Sequence, residues 1–161
     1  MMIAFLIVMM LAINAAQVAF ADDSAKIIGI WKLVSFDWEI QATGEREPAM
    51  GKNPTGYNIF TPEGRAMFVL TGEGRKAPKT DQDRADLFKS MFAYTGMYRL
   101  EGDKWITKID VSWNPAWLGT EQIRFFKVDG DRLQVISMWV QDTVKPQRGM
   151  VRGFLTFDRV K

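Results

Sequence analysis

From residue 29 onward, apolar and polar positions alternate in short runs broken by turn residues. Alternation at a period of two marks a strand with one buried face. The first run covers 29–39 and opens Gly29-Ile30-Trp31-Lys32-Leu33-Val34-Ser35-Phe36. A looser loop through Pro48, Gly51 and Pro54 follows it. Runs at 57–61 and 66–71 flank Pro62-Glu63-Gly64, a hairpin signal. Glu101-Gly102-Asp103 separates 94–100 from 105–113, and Asp129-Gly130 separates 120–128 from 132–141. Asp-Gly favours a tight hairpin because both central residues can take positive φ. A last run over 149–160 makes eight. The pattern predicts an all-β domain, an eight-stranded antiparallel up-and-down β-barrel.

One short helix is expected between the third and fourth strands. Thr80 is its N-cap, with Asp81 and Asp83 in the first turn, where the helix dipole favours negative charge. Leu87, Phe88, Met91 and Phe92 fall on one face at helical spacing. So short a helix must pack on something, as a lid over a cavity or as a plug completing the core.

Within the strands, alternation assigns faces. Trp105, Thr107, Ile109, Val111 and Trp113 are expected inside, which leaves Asp110 outside and a poor catalytic candidate. Trp31, Leu33, Ser35 and Asp37 share a face, as do Tyr94, Gly96, Tyr98 and Leu100. The run 132–141 is apolar on both faces, so its outer side is expected to be covered by the helix, a loop or a second subunit. A homodimer is therefore among the partners this wall allows.

The N-terminal segment is different. Residues 1–21 hold no Asp, Glu, Lys or Arg, and they end Val18-Ala19-Phe20-Ala21 before Asp22-Asp23. An apolar run, small residues and an A-x-A site are the plan of a secretory signal peptide cleaved after Ala21. An uncleaved anchor is the rival reading, but Asn14 and Gln17 dilute the second half of a span that needs roughly 20 apolar residues. Removing 21 of the 161 residues leaves 140, residues 22–161, as one domain. The expected location is the periplasm or the medium, with no membrane attachment after cleavage. The chain has no Cys, so packing alone must hold the fold.

Charge and composition narrow the chemistry. A net charge of +2 and no long basic run give no case for nucleic acid. Arg75, Lys76 and Lys79 form a short basic loop that reads as solvated. There is no His, which removes Ser-His and Cys-His nucleophile pairs and every His-bearing metal site. No metal, cofactor or catalytic residue is assigned. Aromatic residues are plentiful and cluster late. Tyr57, Tyr94, Tyr98, Trp113, Trp117 and Trp139 are candidate walls of a ligand cavity, or else core. Arg124 lies between apolar neighbours in Glu121-Gln122-Ile123-Arg124-Phe125-Phe126. Inward, it would meet a carboxylate on a ligand or an internal Asp or Glu. Outward, it is a surface charge, and alternation does not decide. The same holds for Arg152 and Arg159. Asp37 is the best carboxylate by face.

Five blocks resemble one family. They are Gly29 to Phe36, with its G-x-W; Pro54 to Arg65; Ala93 to Tyr98; Ser112 to Gly119 with Gln122 and Arg124; and Leu155 to Arg159. Together they resemble the bacterial and fungal lipocalin-like domain family over nearly all of 22–161. The resemblance implies an eight-stranded barrel with a central cavity, Trp31 closing its floor and Arg159 packed over Trp31. Relatives often carry a His in the strand matching 105–113, where Thr107 or Lys108 stands here. That departure favours binding over chemistry. The expectation is an exported protein holding a small hydrophobic or aromatic molecule. The alternative is a cofactor-free cyclase or isomerase that uses Tyr94, Tyr98 or Arg124 to polarise a carbonyl.

Overall fold

The structure, a computed structural model, describes residues 25–143 and 145–161. The expected export segment, 1–21, lies outside the described residues. Among those described, no helix is long and apolar enough to cross a membrane.

Ten strands form one sheet: β1 (Gly29–Ile40), β2 (Arg46–Pro48), β3 (Thr55–Phe60), β4 (Arg65–Thr71), β5 (Met91–Glu101), β6 (Lys104–Ser112), β7 (Glu121–Asp129), β8 (Arg132–Ser137), β9 (Val140–Gln141) and β10 (Met150–Arg159). Eight of them close a barrel in the order β1-β3-β4-β5-β6-β7-β8-β10, and β10 pairs back to β1. Every pairing is antiparallel. Closure leaves no long unpaired edge, which suits a chain with no disulfide. The two extra strands are short. β2 lies beside the end of β1, and β9 lies beside the start of β10. Together they build up one rim.

The expected eight-stranded barrel is present, with one change. The last-but-one run breaks after Ser137, so 132–141 becomes β8 and β9. Ser137 Oγ donates to Met138 O and accepts from Gly153 N at 2.7 Å. This local bonding takes the place of a ladder rung and lets the chain turn.

Two bulges set which residues face in. Between β1 and β10 the register shifts at Leu33/Ser35, so Phe36 and Trp38 turn inward and Asp37 turns outward. Ser35 and Asp37 therefore do not share the face of Trp31 and Leu33. Between β5 and β6 it shifts at Thr95/Gly96, opposite the extra residue Asp110. Val111 is consequently 61% exposed instead of buried. Trp105, Thr107 and Ile109 lie before this bulge and face inward as expected. A bulge adds one residue to one strand and inverts the alternation beyond it. Gly96 permits the second bulge, because a Cβ there would lie 2.0 Å from Lys108 O.

One barrel end is solid. Trp31, Phe60, Trp105, Leu133 and Phe157 are essentially inaccessible, and Phe60 packs edge-on against both Trp105 and Tyr98 at 5.0 Å. Residues 25–27 are helical and place the fully buried Ile27 under this floor. Trp31 Nε1 donates to Ile27 O at 2.8 Å. The Arg159 guanidinium lies 4.1 Å from the Trp31 ring centre and donates to Ile28 O and Lys26 O. Gly29 makes room for it: with φ +136°, a Cβ would sit 2.8 Å from Arg159 Nη1. This is the floor that the G-x-W resemblance implies.

The helix α1 (Asp81–Lys89) joins β4 to β5. Thr80 caps it in a reciprocal box, Asp83 N donating to Thr80 Oγ1 at 3.1 Å and Thr80 N to Asp83 Oδ2 at 2.9 Å. No residue of α1 is buried. It ends at Lys89, so Met91 and Phe92 belong to β5 rather than to a helical face.

Candidate functional site

The barrel half away from the floor is hollow. Its cavity measures about 440 Å³, within the range of small-molecule sites. The hollow follows from side-chain size. Where the floor has Trp and Phe pointing inward, this half has Gly153, Ser137 and Val151 on β8 and β10. Phe36 and Trp38 from β1 stand beside them, and Phe68 and Leu70 from β4 with Phe92 and Tyr94 from β5 continue the wall. Met138 and Val140 reach it from the turn after β8.

The mouth carries a linked aromatic cluster. Asn114 caps the short 3-10 turn Pro115–Trp117, accepting from Ala116 N at 3.1 Å. The turn folds Trp117 over the cavity, 5.6 Å from Tyr94 and 4.8 Å from Trp113. Tyr94 in turn stacks on Phe68 at 5.1 Å with an 18° interplanar angle. Trp113 sits behind this wall, against Phe92 at 5.1 Å and Phe88 of α1 at 6.2 Å. No residue of α1 lines the cavity, so the helix is neither its lid nor a plug.

Polar groups in the wall are few. Arg124 on β7 points inward. Among the described residues its guanidinium donates only to neutral oxygens, Ile123 O at 2.8 Å and Gln122 Oε1 at 3.2 Å. Two acids also line the cavity, and both have cationic partners. Glu121 takes two bonds from Arg99, at 2.8 and 3.2 Å. Asp142 pairs with Arg148, which also meets Glu47 of β2. The Tyr94 hydroxyl is buried and has no hydrogen-bond partner among the described residues. Burial pushes its phenol pKa up, and the nearby Arg124 charge opposes that rise.

A lipocalin-like domain model matches residues 28–160. The chain belongs to the lipocalin-like domain family. No curated protein matches the sequence.

This lipocalin-like barrel brings together three of the seven candidate residues, Tyr94, Trp117 and Arg124, in the cavity wall. Trp113 supports Trp117 from behind. The other three lie elsewhere. Tyr57 is on the outer wall, 46% exposed. Tyr98 packs at the floor, its hydroxyl donating to Thr61 O at 3.3 Å. Trp139 turns outward under the Arg152 guanidinium, 4.5 Å from its ring centre. Arg152 itself binds Glu39 on the outside at 3.0 Å. Asp110 is held outside by Arg65, at 2.8 Å. Thr107 occupies the inward position of its strand, fully buried, and Lys108 points out to Gly119 O. Alternation alone does not bring Phe36, Trp38, Ser137 and Gly153 into the wall. A signal exists for the first two. Apolar spacing in β1 slips from Trp31 and Leu33 to Phe36 and Trp38, which is the trace of the bulge.

Proposed function

We propose that this protein is an exported carrier that holds one small, mainly apolar molecule in the open half of its barrel. The observation that carries the reading is the cavity itself, about 440 Å³ walled by aromatic and aliphatic side chains. Moving apolar ligand surface from water into such a wall contributes roughly 25 cal/mol per Å². The flat faces of Trp117, Tyr94 and Phe68 suit an aromatic or polyunsaturated body. Binding is favoured over a cyclase or isomerase reaction because both acids in the wall are engaged by Arg side chains. Of the groups that could polarise a carbonyl, Tyr98 is at the floor, and Tyr94 and Arg124 stand in the wall without a free acid or base beside them among the described residues. Export rests on the 1–21 segment and its A-x-A site.

Native mass spectrometry of the protein, purified gently from its own host, tests both parts. The expected result is a chain beginning at Asp22 that carries one retained small molecule. A chain that keeps residues 1–21 contradicts export. A chain that retains nothing and takes up no neutral apolar probe contradicts the carrier reading.

A further inference from the structure

Arg124 is the one charged side chain of the wall, among the described residues, with no opposite charge in contact. A half-buried cation that meets only neutral oxygens keeps unmet donors, which an anion in the cavity would complete. The acids that stand in the same wall do not serve. Glu121, its near neighbour in sequence, is bound by Arg99, and Asp142 is bound by Arg148. Arg124 thus keeps donors to spare.

A second, independent feature lies in the same wall. Tyr94 is 5% exposed, and its hydroxyl is buried with no hydrogen-bond partner among the described residues. Buried hydroxyls are rarely left so. A phenol O–H and a guanidinium fork are both donors, and both want an acceptor. The surrounding surface is apolar and aromatic, supplied by Phe68, Leu70 and Trp117.

We propose that the cavity takes a monocarboxylic acid on an apolar body, its carboxylate received by the Arg124 guanidinium and the Tyr94 hydroxyl. This rests on the reading of the cavity as a small-molecule site. It names the class of molecule that the site selects. The carboxylate accepts from the planar fork, which matches its two oxygens, and from the phenol. The ring or chain of the acid lies against the aromatic wall. Gln122 holds Arg124 toward the cavity, since its amide oxygen accepts from Nη2.

The test is a matched pair of probes, 2-naphthoate and its neutral counterpart 2-naphthamide, titrated into the full protein and followed by calorimetry. The wild-type chain is expected to prefer the acid by about 10- to 100-fold, as a charge-assisted bond to a half-buried Arg implies. In Arg124→Met that preference disappears while naphthamide affinity stays within a few-fold. In Tyr94→Phe, naphthoate weakens about 3- to 10-fold and naphthamide by less than naphthoate. The wild-type comparison does not depend on any variant folding. If naphthamide binds as well as naphthoate, the anionic site is refuted and the apolar carrier reading stands. If the preference survives in Arg124→Met, Arg124 is not its source and the proposal is likewise overturned. If neither probe binds, the carrier reading falls with it.

Discussion

Single residues decide where this barrel is closed and where it is open. At the floor, Arg159 stacks on Trp31 and ties down two backbone carbonyls. Its planar stacking and paired donors exceed what a Lys or an apolar chain provides. Arg159→Met is expected to destabilise the protein by about 2–3 kcal/mol in urea unfolding, with cavity binding retained. At the mouth the logic reverses. Among the described residues the Tyr94 hydroxyl has no hydrogen-bond partner, so removing it relieves a desolvated donor. Tyr94→Phe is expected to leave stability unchanged or to raise it by up to about 1 kcal/mol. A loss of more than about 1 kcal/mol would show that the hydroxyl already has a structural partner. Gly96 is the strictest position. A side chain there would run into the Lys108 carbonyl and the Ile109 Cα, both backbone. Gly96→Ala is expected to cost about 3 kcal/mol in the same measurement, because neither atom can move aside.

At the scale of elements, turn chemistry and strand periodicity were readable from the sequence, and bulges were not. Asp129-Gly130 and Pro62-Glu63-Gly64 mark real hairpins, and Thr80 with Asp83 marks the true helix start. The eight barrel strands follow from those signals. Face assignment failed beyond two points, Val34 in β1 and Asp110 in β6, where one extra residue inverts the period. Asp37 therefore moved out, Val111 moved out, and Phe36 and Trp38 moved in. Arg124 was undecidable because both faces of β7 mix polar and apolar residues. Only closure of the barrel turns it inward. The helix shows the opposite imbalance. Its cap was legible, yet its packing was overestimated, since Phe88 remains 46% exposed. A helix held by caps and by Arg75 bonded to Leu87 O and Ser90 O is a loosely attached element. Thr80→Ala is expected to remove about 1 kcal/mol of local helix stability. Amide exchange across 81–89 should quicken while the unfolding midpoint of the barrel stays fixed.

The whole molecule divides into a rigid floor and a braced, open mouth. Around the rim, Lys145 and Arg148 reach Glu47 of β2, and Arg148 also binds Asp142. Glu39 joins Arg46 of β2 to Arg152 of β10. Of these groups Asp142 lines the cavity, where Arg148 engages it, and the others brace the rim from outside. Ionisable groups across the molecule also set a broad pH plateau. Hydrogen bonds from Arg65 and Arg99 lower the carboxyl pKa of Asp110 and Glu121 respectively. A side-chain bond from Asn53 lowers that of Glu73, and the Lys79 backbone N–H lowers that of Asp83. Such groups stabilise the fold above their unfolded value, about pH 4, and the contribution is lost as pH falls through the folded value. All are exposed, so each effect is small. The raised Tyr94 phenol acts at the other end. Its contribution is present below about pH 10 and is lost as pH rises further. With no His in the chain, the melting temperature is expected to stay flat between about pH 5 and 9 and to fall outside that window.

The central claim is that the upper barrel is a binding cavity rather than a packing defect. Titration with N-phenyl-1-naphthylamine, a neutral apolar fluorophore, tests it most directly. Trp38 and Trp117 in the wall report occupancy through energy transfer to the probe. The account predicts saturable binding of one probe per chain at micromolar concentration, with both Trp emission and probe emission reaching a plateau together. A linear, unsaturable rise in probe signal with unchanged Trp emission would contradict it.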